Sequence, residues 1–259
     1  MRRCSYMLFV CMLFLCAACG GSTSGGQTSQ ATVRPTPTPP SPTPAPTLPP
    51  VQPREVHFKA SNGLLLDAWL YGHGKTAVVC AHAFGESKVA WDLLVRRLVP
   101  AGYMVLAFDF EGHGGSQGSK SFGNLVIDLR AAIDFVRQQG AEKLVLAGAS
   151  MGGWAALNYA SAARGSVEAV VTLSAPLSLG MELTDAELRS SSMPKLFMNT
   201  TFDDFADDTN HMYAVAGQPK ELRMYKGRAH GTDMFDGEPF SDDALATIMA
   251  FIKRYAPNS

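Results

Sequence analysis

Cysteine is scarce in this chain, and four of its five cysteines (Cys4, Cys11, Cys16 and Cys19) crowd into the first nineteen residues. Only Cys80 lies beyond them, inside an apolar run, so it reads as a small buried hydrophobe and no disulfide framework is expected. An excess of one charge is also missing. The 22 Lys and Arg residues against 23 Asp and Glu leave a net charge of −1, with no basic stripe, which argues against nucleic acid as a partner. Histidines are few and scattered, and neither H-x-H nor H-E-x-x-H occurs, so no metal site is expected. The glycine run Gly112–Ser121 brushes against a phosphate loop but fails it. Ser119, not lysine, follows Gly118, and Gln117 fills the last glycine position of G-x-G-x-x-G. It reads as a turn, and no cofactor is expected. No internal repeat is visible.

The two ends of the chain differ sharply. Arg2 and Arg3 precede an apolar stretch, Met7 to Ala18, which at about a dozen residues is too short to span a bilayer. It closes on Ala17-Ala18-Cys19-Gly20, which resembles a bacterial lipobox, although Cys16 stands where that motif usually has leucine. Residues 1–19 are therefore expected to be an export signal, with lipid attached at Cys19. Ordinary signal-peptidase cleavage and an uncleaved anchor are the alternatives. Residues 20–53 run through Gly/Ser/Thr and then Pro/Thr repeats, which lack the apolar groups to offset ordering entropy. They read as a disordered tether, reaching roughly 100 Å at ~3 Å per residue.

Residues 54–259 are enough for one sizeable domain. A hairpin is expected over 54–60 and 64–71, turning at Asn62-Gly63. Strands are expected at 76–81, 103–108, 143–147, 167–174, 195–200 and 221–225. Helices are expected at 86–99, 121–139, 151–163, 209–216 and 241–255, with a small one at 185–191. Continuous apolar strands separated by helices predict a mostly parallel sheet covered on both faces. Ligands of such sheets bind at the carboxyl ends of the strands.

The most informative segment is Gly148-Ala149-Ser150-Met151-Gly152, between a strand and a small-residue helix. Strand, G-x-S-x-G and helix make a nucleophile elbow. Glycines two residues either side let the backbones approach, and the hydroxyl is thrown clear of the sheet at a helix N-terminus. A serine hydroxyl needs a base, and the base needs an orienting group. His230 follows the last strand and is the candidate base. Asp203 follows the preceding strand and is the candidate acid, with Asp204 and Asp207 as alternatives.

On these residues the chain resembles bacterial α/β-hydrolases of the compact esterase, dienelactone-hydrolase-like or S33-peptidase-like kind. The order Ser150, Asp203, His230 is that of the family's triad. His82-Ala83-Phe84-Gly85 matches the His-Gly-x motif, Asp109 to Ser116 resembles D-x-R-G-x-G-x-S, and His230-Gly231 matches the catalytic histidine loop. The resemblance implies an α/β-hydrolase fold with an eight-stranded sheet and no large lid domain. It also implies an oxyanion hole from the backbone N–H groups of Phe84 and Met151, with His82, Gly148 and Gly152 in support. Three residues depart from the pattern: Ala83 and Thr200 replace glycines, and Glu111 replaces arginine. A serine nucleophile also argues against dienelactone hydrolase proper, whose nucleophile is typically cysteine.

The expected activity is serine hydrolysis of a small-molecule carboxylic ester on a lipid-tethered protein. Amide hydrolysis on the same triad is the alternative, and an acidic pair placed for a substrate α-amine would favour it. A thioesterase and a non-catalytic surface binding module come behind. The insertion from Ala175 to Pro194 is where acyl selectivity is expected to be written. Of the remaining histidines, His57 and His73 read as surface residues, His113 as a loop brace and His211 as part of a polar helix start. Asp236 and Glu238 read as solvated loop charges.

Overall fold

The computed structural model describes residues 51–163 and 165–258. The export signal, Cys19 and nearly all of the expected tether lie outside the described residues. Eight strands form one sheet: β1 (Arg54–Lys59), β2 (Leu65–Tyr71), β3 (Thr76–Ala81), β4 (Met104–Phe108), β5 (Lys143–Ala149), β6 (Ala169–Leu173), β7 (Lys195–Thr200) and β8 (Lys220–Tyr225). Their order across the sheet is β1-β2-β4-β3-β5-β6-β7-β8. β2 runs antiparallel to β1 and β4, and every later pairing is parallel.

Parallel strands need crossovers, and helices supply them. These are α1 (Asp92–Leu98), α2 (Leu125–Gln138), α3 (Met151–Ala162), α4 (Asp185–Ser190), α5 (Ala206–Val215) and α6 (Ser241–Tyr255). The central strands read as unbroken apolar runs because both their faces are covered. On β3, Ala77, Val79 and Ala81 face the core under α2 and α3, while Val78 and Cys80 face the core under α1 and α6. Cys80 is buried and free, and burial pushes its thiol pKa far above the usual range. It is a packing residue.

Two differences from the expected elements bear on function. The segment expected to be a helix from Glu86 is instead non-helical at Glu86 and extended at Ser87, then takes a short 3-10 stretch, Lys88–Trp91, into α1. The cause is Lys88, whose buried ammonium is held by Asp109 at 2.6 Å and Asp67 at 3.2 Å. Helix α5 starts at Ala206, three residues earlier than expected, because Asp203 accepts the Phe205 N–H at 2.8 Å and closes the preceding turn. His211 is therefore mid-helix, where it pairs with Asp185 at 2.8 Å.

The departures at Glu111 and Thr200 have structural uses. Glu111 accepts hydrogen bonds from Asn124 Nδ2 (2.7 Å), Ser119 N (3.4 Å) and Asn62 Nδ2 (3.4 Å), and so binds its loop to the first hairpin. Thr200 is buried and donates its hydroxyl proton to the Ala229 carbonyl at 3.0 Å, joining the end of β7 to the segment before His230. The segment 175–194 holds only α4 and an isolated bridge between Ser178 and Glu182. No large lid stands over the sheet among the described residues. Nor is any described helix long and apolar enough to cross a membrane.

Candidate active site

The carboxyl ends of β3, β5, β7 and β8 bring the candidate residues to one edge of the sheet. Ser150 joins β5 to α3 with φ 50° and ψ −116°, a conformation that L-residues rarely hold. Strain of this kind costs on the order of 1–3 kcal/mol and persists only where the surroundings enforce it. Here the Ser150 N–H donates to the Leu173 carbonyl at 2.8 Å, and its carbonyl accepts the Trp154 N–H at 3.0 Å. The flanking glycines are required by contact. A Cβ on Gly152 would overlap the Ala81 carbonyl, and one on Gly148 would overlap the backbone of Gly152 and Gly153. Ser150 itself remains 9% exposed.

His230 and Asp203 meet. His230 Nδ1 lies 2.6 Å from Asp203 Oδ2, and the Asp203 side chain is only 2% exposed. The other Asp203 oxygen accepts from Phe205 N (2.8 Å) and Asn199 Nδ2 (3.2 Å). Asp204 and Asp207 are exposed, and of the three candidates it is Asp203 that meets His230. Burial pushes the Asp203 carboxyl up, but hydrogen bonds from His230 and Phe205 outweigh it and the pKa falls below the ordinary value. The same hydrogen bond raises the His230 pKa against the opposing effect of burial. With Asp203 ionised, Nδ1 carries its proton toward the carboxylate and Nε2 is left unprotonated in the neutral imidazole.

The histidine loop reaches the elbow at the next residue. A Cβ on Gly231 would lie 3.3 Å from Ala149 Cβ and 3.9 Å from Ala83 Cβ, so this segment sits against both Ser150 and the Phe84 turn. The hydrogen bonds of the described residues do not include one between Ser150 Oγ and His230 Nε2. Such contacts are often loose without substrate and tighten in the Michaelis complex.

Ala83 to Glu86 form a turn closed by the Glu86 N–H on the Ala83 carbonyl at 3.1 Å, with Gly85 at φ 84°. This closure leaves the Phe84 N–H outside the turn's own hydrogen bond. Neither it nor the Met151 N–H engages a protein acceptor in the hydrogen bonds of the described residues. His82 supports the turn: its Nδ1 donates to the Ala83 carbonyl at 2.7 Å, and its Nε2 accepts from Phe110 N at 3.1 Å. Burial lowers its pKa to about 4, which keeps it neutral and able to do both. The Ala83 side chain is buried in the core beneath the site.

Three supporting groups escape a reading of motifs. Ser174, at φ 51°, donates to Asn199 Oδ1 at 2.7 Å and accepts the Gly231 N–H at 3.0 Å. Asn199 in turn reaches Asp203, so β6, β7 and the histidine loop share one hydrogen-bond chain. Lys88, beside the oxyanion turn, is tied by both backbone N–H and ammonium to buried Asp109. The signal available in sequence was polar residues at strand ends, with no spacing to join them. His113 braces its loop as expected, with Nδ1 3.0 Å from the Glu111 carbonyl. No group of three or more His, Cys, Asp or Glu among the described residues could hold a metal ion.

A cavity of about 790 Å³ opens next to the histidine loop, with Ala229 and Thr232 in its lining. Glu86, Asp92, Asp233, Asp236, Glu238 and Arg228 are among its walls, while Ser150 and His230 are not. Asp236 and Glu238, expected as solvated charges, therefore line a depression next to the site.

An open, mostly parallel sheet with a strained serine at the β5–α3 turn and an acid–histidine pair after β7 and β8 defines an α/β-hydrolase arrangement. Comparison with known proteins agrees. The family described as serine aminopeptidase, S33, matches residues 72–183, a stretch holding Ser150 but neither Asp203 nor His230. The uncharacterized protein YfhR of Salmonella typhi is 27% identical over 228 residues, covering 73% of this chain and 77% of YfhR. An esterase of Pyrococcus furiosus superposes with a TM-score of 0.70 at 17% identity, over 79% of this chain and 92% of its own. The esterase domain of a Rhodothermus marinus protein gives a TM-score of 0.62 at 24% identity, over 79% of this chain and 99% of its own. These solved structures share the fold of this chain, an eight-stranded, mostly parallel sheet of the α/β-hydrolase kind.

Proposed function

We propose that this protein is a serine hydrolase that cleaves carboxylic esters of small to medium acyl groups. The observation that carries the reading is the 2.6 Å Asp203–His230 hydrogen bond beside a strained serine on the nucleophile elbow. Ser150 Oγ attacks the ester carbonyl as His230 Nε2 takes its proton. The Phe84 and Met151 N–H groups receive the oxyanion, each such donor being worth about 3–4 kcal/mol in a dry site. His230 returns the proton to the leaving alcohol, and water then hydrolyses the acyl-enzyme by the same steps in reverse.

An apolar rim supports an ester with an acyl group. Phe84 is 54% exposed with its ring 5.4 Å from that of exposed Phe122. Phe202, next to Asp203 in sequence, and Met181 of the 175–194 segment are exposed as well. This open rim is the basis for assigning small to medium acyl groups.

Amide hydrolysis on the same triad is the second reading. The description of the matched family favours it, as do the carboxylates of the cavity beside His230, which suit a substrate amine. A panel of p-nitrophenyl esters from acetyl to palmitoyl, run beside aminoacyl p-nitroanilides, separates the two. The ester reading expects acetyl and butyryl esters to turn over fastest and anilides to lag by about 10²-fold or more. Faster anilide cleavage would put the amide reading first.

The placement proposed for the protein is outside the cell, lipid-anchored at Cys19. Full-length protein is expected to take up labelled palmitate and fractionate with membranes, and Cys19→Ala to lose the label. Label retained by Cys19→Ala would end the lipoprotein reading.

A further inference from the structure

We propose that Glu86 is a positioning residue that ties the oxyanion turn to the histidine loop, holding the Phe84 N–H and the His230 imidazole in one register. The inference rests on the hydrolase reading above and concerns a residue that no motif marks.

Glu86 grips Ala83 at both ends. Its backbone N–H donates to the Ala83 carbonyl at 3.1 Å, and its carboxylate accepts the Ala83 N–H at 3.2 Å. The turn between these bonds carries the Phe84 N–H. The same carboxylate then leaves the turn. Thr232 Oγ1 lies 3.3 Å from each of its oxygens, and Thr232 is the second residue after His230, buried in the short 3-10 stretch Gly231–Phe235. One side chain thus spans 146 positions of sequence to join the two loops whose relative placement sets the distance from oxyanion donor to base. A misplacement of about 1 Å between such groups can cost 10²-fold in rate. A carboxylate that only closed its own turn would have no reason to reach Thr232.

The charge matters as well as the tie. Glu86 is half-buried, and burial raises its carboxyl pKa against the hydrogen bonds from Ala83 and Thr232. Asp233 faces it from the histidine loop, and Arg228, Asp92, Asp236 and Glu238 share the cavity it lines. After Asp203, both Glu86 and Asp233 favour the protonated imidazole of His230. Removing the Glu86 charge must therefore lower the His230 pKa and carry the acid limb of kcat/KM toward lower pH. A merely structural brace would leave that limb where it is.

The test uses the full-length chain with p-nitrophenyl acetate, pH profiles of kcat and KM, and an NMR titration of the His230 imidazole assigned by its loss in His230→Gln. Glu86→Gln keeps an acceptor but no charge. Its plateau kcat should stay within about threefold of the parent, while the acid limb and the titration both move to lower pH. Glu86→Ala loses acceptor and charge, so kcat should drop about tenfold or more with KM little changed. Thr232→Val cuts the tie and keeps the charge, so kcat should fall with the titration in place.

Parent values of kcat in Glu86→Ala, or an unmoved titration in Glu86→Gln, would overturn the inference. If Glu86→Ala does not fold, Glu86→Gln decides alone. A parent whose turnover survives Ser150→Ala would sink the reaction assignment instead. The titration, which needs no turnover, would then still decide whether Glu86 acts on His230.

Discussion

Ser150→Ala is expected to lower kcat on a short-chain p-nitrophenyl ester by about 10⁶-fold, the largest effect of any single substitution in this protein. Ser150 carries the hydroxyl at the turn between β5 and α3, and the proposed reaction has His230 activate it. The loss should fall on kcat, because the substitution removes one oxygen and leaves the Phe84 and Met151 N–H groups free to bind the carbonyl. A residual rate about 10³–10⁴-fold above water is expected from those donors and from binding. The fold should be untouched, since Ser150 is held by backbone bonds to Leu173 and Trp154 and not by its side chain. Stopped-flow turnover beside a thermal melt checks both statements.

Asp203→Asn should cost about 10⁴-fold in kcat with the fold intact. The Asp203 oxygens accept from His230 Nδ1, Phe205 N and Asn199 Nδ2. An asparagine has one oxygen for those three donors. If that oxygen stays with the backbone N–H, the amide NH₂ faces Nδ1, and the imidazole moves its proton to Nε2, where it can no longer act as base. The pH dependence carries a second signature. The Asp203 hydrogen bond raises the His230 pKa, so the acid limb of the parent lies above that of an ordinary histidine. Activity needs the neutral imidazole, so rate is lost as pH falls through that raised pKa. In Asp203→Asn the surviving activity should hold to lower pH while the plateau collapses. Asp204→Asn and Asp207→Asn, altering exposed carboxylates, should stay within about twofold of the parent. A large loss in either, with Asp203→Asn active, would reassign the acid.

The sheet was legible because its strands are buried on both faces. β3 and β7 match their expected ends residue for residue, each built round a central apolar run, although β7 also buries Lys195, Asn199 and Thr200. β5 runs two residues further than expected, through Gly148 and Ala149, because pairing to β6 continues up to the elbow. Ser150 and His230 were legible through short motifs at strand ends. Asp203 was narrowed to three neighbours and no further, because which of three nearby carboxylates turns inward depends on the Phe205 and Asn199 contacts. Glu86 was read as the start of a helix, a fair inference for glutamate ahead of an apolar run. Its real partners lie three residues back and across the site, and no local pattern encodes the second. Lys88, Ser174 and Asn199 were missed for the same reason. Each is a polar residue whose burial is made tolerable only by a partner distant in sequence.

The central claim is that Ser150 forms the acyl-enzyme, and trapping that species tests it most directly. Full-length protein mixed with excess p-nitrophenyl acetate, quenched in acid within the burst and digested with trypsin, is read by mass spectrometry. One acetyl group is expected on Ser150, in the peptide spanning 144–164, and none in Ser150→Ala. An acetyl group carried by another residue, or ester turnover with unmodified Ser150 and full activity in Ser150→Ala, would contradict it.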